Sequence, residues 1–592
     1  MRSWVRARAL GVSLPTWRAP RLGEDLAPAT AGRRMLRVYF IKASQYDRDG
    51  MVLQFRWGVI PNNTLTVLAA LNEAYAASHP AIDVQTVLWD ELVDGAVGFE
   101  TLAALRRRTA ADGAELIIAL AGIQTGQYPR ARDVALQCKQ LGLTVVAGGF
   151  HISSDAPSRE FLAALGVTVV VGEAETTWGL LLDDYLRGRL QRSYQVADGV
   201  RARTAVGTIA VPDIGAAPLP VIDGRYLTRF FNPTLSTVDT ARGCPFACSY
   251  CAVKNVMGRT MRPRDPARVV EWVRDAHDRH GIRSLFIVDD DFYRSPCWEP
   301  LLAGIAALRR AGRDLSFMMQ ADIESAIHSP AAEGVVDTLR ERRSRRFVEL
   351  AAAAGCYAVF IGFESFNPAN LDRTLKVQNQ PREHRHASAE PPETAHQRVK
   401  ARYRMAVDNW HRAGVAVHAG YMIGLPFDGP GSGVAAARDL TDIGVDIASF
   451  FPYTPLPGTE DYDAALAGDA LVERDFNAWD CLHIVNRHPT LTPAEVYREY
   501  CDAHRRFYTW KRLFWSLATG YRVAGLSAAA RYGMLTQQLY YTYAYRRGWH
   551  PMMGGIWRVR DRSVRRQVID NEGAARLFLA AGAAELASSP VS

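Results

Sequence analysis

The chain has 592 residues, several times the length of an ordinary domain, so we expect several separate cores. Hydrophobic residues make up 48% and charged residues 22%, a balance typical of folded globular proteins that excludes global disorder. The formal net charge is +8, but the arginines that carry most of it are scattered along the chain, which argues against a nucleic-acid partner.

The cysteines and the first residues bear on where the protein works. Eight cysteines are too few and too unevenly placed for a disulfide scaffold in a chain this long, so we expect a reducing, cytoplasmic setting. Residues 1–34 are predicted to be a flexible leader, and whether they belong to the native protein is left open. The apolar stretch at residues 9–14 is too short for a secretory signal, and no apolar run reaches the roughly 18 residues of a membrane span.

Residues 35–190 alternate short apolar runs with amphipathic helical stretches. Continuous apolar strands between helices indicate a parallel sheet covered on both faces. We therefore predict an α/β domain with a doubly wound, five-stranded parallel sheet. The predicted strands are residues 36–43, 82–89, 115–121, 143–147 and 167–171.

Glycine-rich loops follow the third, fourth and fifth predicted strands. Ligands of such sheets lie at the carboxyl ends of the strands, and glycine lets the backbone approach a flat, bulky ligand. The alternative is that these glycines only close tight turns. The candidate cofactor-binding residues in these loops are Gly122, Gln124, Gly148, Gly149, His151, Gly172, Glu173 and Glu175.

The rest of the chain divides into three further parts. Proline-rich residues 191–235 are predicted to be a connector. Residues 236–462 contain six strand-helix units typical of a partial (β/α)6 barrel, with polar insertions near 329–345 and 378–400. Residues 463–592 are predicted to be a mainly helical C-terminal domain. The predicted barrel strands are residues 237–240, 284–289, 316–320, 358–363, 416–423 and 447–451.

A triplet of cysteines follows the first predicted barrel strand. Cys244, Cys248 and Cys251 form a C-x3-C-x2-C pattern, whose thiolates can ligate three irons of a cubane cluster and leave the fourth iron without a protein ligand. The alternative is structural zinc, which needs four ligands; no second cysteine pair exists, although Cys297 is a distant fourth candidate. The remaining cysteines are isolated, and we expect them to be inert thiols.

This triplet, with Tyr250 before its third cysteine, resembles the radical S-adenosylmethionine (SAM) superfamily. Later segments in the same order extend the resemblance to the cobalamin-binding radical SAM enzymes, over roughly residues 35–460. These segments are Val288-Asp289-Asp290-Asp291-Phe292, Gln320-Ala321-Asp322, Gly362-Phe363-Glu364-Ser365 and Gly420-Tyr421-Met422-Ile423-Gly424-Leu425-Pro426.

The resemblance implies three cofactors, namely a [4Fe–4S] cluster on the cysteine triplet, SAM, and cobalamin in a Rossmann-like domain at residues 35–190. It implies that Glu364 contacts a SAM hydroxyl, with Gln320 and Asp289 as further contacts, and that Gly424 shapes backbone around the cofactor. For each single residue the alternative is a helix cap or a loop hydrogen bond. The chain lacks the D-x-H-x-x-G signature of histidine-on cobalamin proteins, so we expect His151 to contact the corrin periphery and not the cobalt.

The same resemblance implies the reaction. A 5′-deoxyadenosyl radical would remove hydrogen from an unactivated carbon, and methylcobalamin would methylate that carbon; an external flavodoxin or ferredoxin would supply electrons. The alternatives are a cyclase or rearrangement enzyme using the same cofactors, and a non-catalytic cofactor sensor. No residue is assigned to handle substrate protons, and the oligomeric state stays open.

The C-terminal region is rich in aromatic and arginine residues. It resembles the hopanoid methylases, which would imply a lipid substrate and peripheral contact with a membrane surface. The alternative is a helical cap packed over the barrel, with an ordinary small-molecule substrate. The sequence does not identify the substrate.

Overall fold

A computed structural model describes residues 22, 32–204, 207–329, 338–381, 391–480, 482–519, 528–547, 550–568, 570–574 and 576. Most of the predicted leader, Cys481, Trp549 and the central parts of both predicted insertions lie outside these residues.

The N-terminal domain is built on six parallel strands, one more than predicted. The order across the sheet is β2-β1-β3-β4-β5-β6. The strands are β1 (Arg34–Lys42), β2 (Ile82–Asp90), β3 (Glu115–Leu120), β4 (Thr144–Gly148), β5 (Thr168–Val171) and β6 (Ser193–Gln195). The additional strand, β6, falls in the predicted connector. It has three residues, of which only Tyr194 is buried, so it is too short to give a periodic signal.

Two hydrophobic cores lie on opposite faces of this sheet. Along β1, Tyr39 and Ile41 enter one core while Val38 and Phe40 enter the other, as the alternation of side chains along a strand requires. Helices cover both faces, in agreement with a doubly wound sheet. They are Asn63–Ser78 and Thr177–Leu186 on one side, and Phe99–Ala111, Tyr128–Gln140 and Ala156–Ala164 on the other.

The connector contains a small antiparallel hairpin of Val200–Arg203 with Thr208–Val211, followed by the short helix Gly224–Leu227. It leads directly into the second sheet.

The second sheet has six parallel strands in sequential order, as predicted for a partial barrel. Its first and last strands are not paired with each other in the described part of the chain, so the barrel is open. The strands are β7 (Leu235–Val238), β8 (Ser284–Ile287), β9 (Ser316–Gln320), β10 (Cys356–Glu364), β11 (Ala416–Ile423) and β12 (Ile447–Pro452). The covering helices are Pro266–His280, Trp298–Arg310, Leu339–Ala353, Pro392–Arg412, Ser432–Asp442 and Pro493–Phe507.

Both predicted insertions end inside covering helices, where the structure differs from the prediction. Thr338 and Glu341 form a reciprocal capping box that starts the helix Leu339–Ala353. The first turns of this helix and of Pro392–Arg412 are polar, and their buried apolar residues begin only at Phe347 and Val399. Apolar periodicity therefore could not identify these helix starts.

The described part of the C-terminal region is mainly helical and packs against both the barrel and the N-terminal domain. Helix Ala528–Arg547 packs Met534 and Tyr541 against the barrel core. A strand missed by the sequence analysis, Gly555–Val559, pairs antiparallel with Gln54–Gly58 of the N-terminal domain. Among the described helices, none combines the length and apolar character needed to cross a membrane.

Candidate functional site

The three cysteines lie on a loop that is closed at its base by a two-residue antiparallel pairing. Ala241–Arg242 pairs with Arg262–Pro263, so both ends of the loop are fixed at the carboxyl edge of the barrel. Gly243 has a positive φ of 93°, and a Cβ at this position would collide with the carbonyl oxygen of Thr260. The turn into the first cysteine therefore requires glycine.

All three thiols are free, and they lie close enough to influence one another. Burial and, after it, the charge of the neighbouring Cys248 together raise the pKa of Cys251 to about 12. Burial also raises the pKa of Cys244, with Asp291 as the next contribution. Such thiols favour the thiolate only when a cation compensates the charge.

The donor set fits a cubane better than a single ion. In the described part of the chain, no group of three or more His, Cys, Asp or Glu side chains is placed to hold one metal ion. The zinc alternative, with Cys297 as fourth ligand, would need all four donors to converge on one ion. A cubane instead asks each of three thiolates to reach a different iron, so Cys244, Cys248 and Cys251 need not converge on one point.

Glu364 lies beside the cysteine loop at the end of β10. It adopts a positive φ of 61°, its carboxylate accepts a hydrogen bond from the Tyr250 hydroxyl, and Lys376 Nζ stands 2.8 Å from its Oε1. A Cβ at Gly362 would crowd the same carboxylate and the same ammonium. Burial lowers the pKa of Lys376, but the nearby negative charges outweigh this effect and raise the pKa overall. The largest of these contributions comes from Glu364, followed by Cys248 and Cys244.

Lys376 is a functional candidate that the sequence analysis missed. Its buried ammonium faces both a carboxylate and the cysteine thiols, and it counteracts the rise in the pKa of Cys251. One signal was available in the sequence, since lysine is rare among the basic residues of this arginine-rich chain.

Asp289 and Gln320, both predicted SAM contacts, lie at the carboxyl ends of neighbouring strands. Asp289 accepts hydrogen bonds of 2.5 Å from the backbone N–H and the hydroxyl of Thr240, and burial raises its pKa to about 7. Gln320 Nε2 donates to the backbone oxygen of Asp289 at 3.2 Å. These contacts tie the first three barrel strands together, and a SAM-binding role for the two residues stays a prediction.

Gly424, the predicted backbone-shaping residue, has a positive φ of 83° at the end of β11. Its N–H donates to Asp428 Oδ2 at 2.9 Å, and a Cβ here would stand 2.6 Å from Val496 Cγ1. Both the turn and the close approach of the helix Pro493–Phe507 therefore require glycine.

The predicted glycines of the N-terminal domain lie together at the carboxyl edge of its sheet. Gly122, Gly149 and Gly172 all adopt positive φ, and a Cβ on Gly149 would collide with the backbone of Ile123. Gly148 is the last residue of β4. Gln124 is exposed, and its backbone N–H donates a hydrogen bond to Gln127 Oε1 at 3.1 Å. Turn closure explains the glycines here, and their contact with a cofactor stays a prediction.

His151 is buried next to these glycines. Its Nε2 is 3.0 Å from Ser158 Oγ, and its ring packs against the rings of Tyr128 and Phe476 at centroid distances of 4.6 and 4.7 Å. Its Nδ1 is buried and makes no hydrogen bond in the structure. Burial lowers the pKa of His151 to about 4, so the imidazole is neutral near pH 7.

Glu173 and Glu175 extend from the loop after β5 to the base of the cysteine loop. Glu173 pairs with both Arg242 and Arg262, and Glu175 pairs with Arg242 at 2.5 Å. These two predicted cofactor-binding residues thus contact the barrel, an interdomain role that the sequence did not suggest.

Comparison with known proteins agrees with this architecture. Residues 238–428 match the Radical SAM superfamily. The bacteriochlorophyllide d C-8(2)-methyltransferase of Chlorobaculum tepidum is 23% identical over 401 residues, covering 66% of this chain and 77% of that protein.

Two solved structures share the fold over most of the chain. The cobalamin-dependent S-adenosylmethionine radical enzyme OxsB, with aqua-cobalamin and S-adenosylmethionine bound, has a TM-score of 0.56 at 14% identity, covering 86% of this chain and 71% of that one. The radical S-adenosylmethionine methyltransferase TsrM from Kitasatospora setae, with cobalamin and a [4Fe-4S] cluster bound, has a TM-score of 0.50 at 16% identity, covering 93% and 100%. Residues 238–428 of the chain thus carry a radical SAM domain, which confirms the resemblance predicted from the cysteine triplet.

Proposed function

We propose that this protein is a cobalamin-dependent radical SAM methyltransferase that methylates an unactivated carbon of a small molecule or lipid. One observation carries the proposal. A loop with three free cysteines at the carboxyl edge of an open barrel meets, through ion pairs, the carboxyl edge of a doubly wound sheet. The edges at which these two kinds of fold bind their ligands are thus joined to each other by ion pairs.

The residues of the barrel edge fit the first pair of cofactors. Cys244, Cys248 and Cys251 would hold a [4Fe–4S] cluster, with SAM beside Lys376 and Glu364. Lys376 supplies a buried positive charge that compensates thiolate or carboxylate charge, and the Glu364 carboxylate would accept a hydrogen bond from a hydroxyl of SAM.

The N-terminal edge fits a flat ligand. Gly122, Gly149 and Gly172 keep side chains away from the strand ends, and the neutral His151 adds an uncharged wall packed by aromatic rings. Cobalamin bound there supplies a transferable methyl group, as the cluster and SAM supply a hydrogen-abstracting radical. The protein's own contribution is to hold these groups, orient them and exclude water.

The proposal includes the setting of the enzyme. The seven described free cysteines suit a reducing cytoplasm, and an external flavodoxin or ferredoxin would supply the electron.

An exposed aromatic patch on one C-terminal helix is the proposed site of membrane contact. Trp510 and Phe514 are 51% and 65% exposed there, and Arg546 lies over the Trp510 ring. Sedimentation with anionic vesicles, comparing wild type with the W510S/F514S variant, tests that contact.

Anaerobic reconstitution tests the proposed reaction. We expect iron and sulfide in a one-to-one ratio, an EPR signal on reduction, binding of hydroxocobalamin, and cleavage of SAM. Product analysis with extracts of a deletion strain should find a metabolite heavier by one methylene unit, together with S-adenosylhomocysteine. A product of unchanged carbon count, formed with deoxyadenosine alone, would replace methylation by cyclisation or rearrangement.

A further inference from the structure

The ion pairs that join the two domains are part of one buried, charge-balanced network, which also includes pairs within the barrel. Three carboxylates, Glu173, Glu175 and Asp239, face three guanidiniums, Arg242, Arg262 and Arg264. Arg242 is the most exposed of these six side chains, at 11%. The network neutralises itself without solvent, so the loss of one member leaves a buried charge uncompensated.

Glu173 is the central carboxylate of this network. Its Oε1 accepts a hydrogen bond of 2.5 Å from Arg262 Nη2, while its Oε2 accepts from Arg262 Nη1 at 3.1 Å and from Arg242 Nη1 at 2.8 Å. Arg242 and Arg262 are also direct partners across the antiparallel pairing that closes the cysteine loop. One side chain of the N-terminal domain therefore binds both ends of the loop that carries the cysteines.

The same arginines are held from the barrel side. Arg262 also donates to the backbone oxygens of Pro212 and Met257, at 2.7 and 3.1 Å. Arg242 Nε donates to Asp239 at 2.9 Å, and Asp239 accepts a further bond from Asn63 of the N-terminal domain at 3.0 Å. The guanidinium group of Arg262 is therefore fixed in one orientation, with little freedom to bind another partner.

Glu173 directly follows Gly172, one of the glycines at the proposed corrin-binding edge. We propose that Glu173 is a positioning residue, which fixes the cluster-bearing loop at a set distance from the cobalamin-binding edge through Arg242 and Arg262. This inference rests on the proposed function, because it assumes that both cofactors bind. Methyl transfer and hydrogen abstraction must reach the same substrate carbon, so a loose separation between the two edges would uncouple them.

The separation can be measured without knowing the substrate. Reduced cluster and cob(II)alamin are both paramagnetic, and pulsed EPR on protein loaded with both reports the distribution of distances between them. We expect a narrow distribution in the wild type and a distribution at least about twofold broader in E173Q. The matched control is E91Q, which removes the charge of another fully buried glutamate, whose arginine partner Arg130 lies within the N-terminal domain.

The outcomes distinguish a failure of the positioning role of Glu173 from a failure of the proposed function. Wild-type protein that takes up neither cluster nor cobalamin contradicts the proposed function itself. Loaded E173Q with the wild-type distribution overturns the positioning role, as does equal broadening in E91Q. If E173Q does not take up both cofactors, the same measurement is made on R262K, which keeps the positive charge but removes the two-pronged guanidinium. A broader distance distribution in R262K supports the inference, and an unchanged distribution overturns it.

Discussion

Lys376 Nζ lies 2.8 Å from Glu364 Oε1, and both side chains are almost entirely withdrawn from solvent beside the cysteine loop. Burying two opposite charges this way is tolerated only as a pair, because either charge alone would be left in a poorly polarisable interior. The pair is therefore both a structural element and a ready-made polar surface for a charged ligand.

Removal of Lys376 should therefore cost more stability than removal of the pair. We expect K376M to lower the free energy of unfolding by about 3–5 kcal/mol, and the double variant K376M/E364Q to recover much of that loss. Urea unfolding of the single and double variants measures this coupling. Equal losses in K376M and in the double variant would show that the two charges do not depend on each other.

The buried imidazole of His151 predicts a loss of stability in acid. Its pKa is about 4 in the folded protein against an ordinary value of 6.5, so between these values only the unfolded chain takes up the proton. The stabilisation is complete above pH 6.5 and is lost as the pH falls towards 4. At pH 5 the loss amounts to about 2 kcal/mol.

Urea titrations of wild type and H151Q at pH 7.5 and pH 5 test this expectation. The variant should show a smaller loss between the two pH values than the wild type. H280Q serves as the control, because it replaces a histidine that is exposed at the end of a helix. A wild-type slope in H151Q would mean that other groups account for the acid sensitivity.

Gly149 should be intolerant of any side chain. Its φ of 140° and the collision of an added Cβ with the backbone of Ile123 predict that G149A loses about 2–4 kcal/mol and binds hydroxocobalamin poorly. The control is G179A, since a Cβ on this helical glycine meets nothing closer than Tyr75 Cδ2 at 3.9 Å. Thermal unfolding and absorbance titration should separate the two variants, with G179A at or above wild-type stability.

The cysteine triplet predicts that only three of the thiols are needed to bind the cluster. Alanine at Cys244, Cys248 or Cys251 should abolish the reconstituted cluster, while C297A should retain it. Iron content, absorbance near the sulfur-to-iron charge-transfer bands and EPR measure the result. Full cluster content in C248A would contradict the ligand assignment, and its loss in C297A would bring Cys297 into the ligand set.

The sequence predicted the elements whose signal is local. All six barrel strands were predicted, because each combines an apolar run with a turn before the next helix. The cysteine triplet was equally accessible, since its ligands lie within eight residues of the chain. Strand β6 was missed because a three-residue edge strand has no periodicity to detect.

The site beyond the cysteines depended on packing between distant segments. Lys376 reaches Glu364 because the loop after β10 folds back over the strand end, and Glu173 reaches Arg262 from another domain, 89 residues away. A single sequence carries no periodic signal for such pairs, and the glutamates of the β5 loop were accordingly assigned to a cofactor alone.

The pairing of Gly555–Val559 with Gln54–Gly58 has a consequence for biosynthesis. The partner of this early strand leaves the ribosome only after the whole barrel has been made, so the newly made N-terminal domain presents an unpaired strand edge throughout translation. Nascent chains stalled before the last segment should therefore recruit chaperones, and a supplied peptide spanning residues 550–568 should release them.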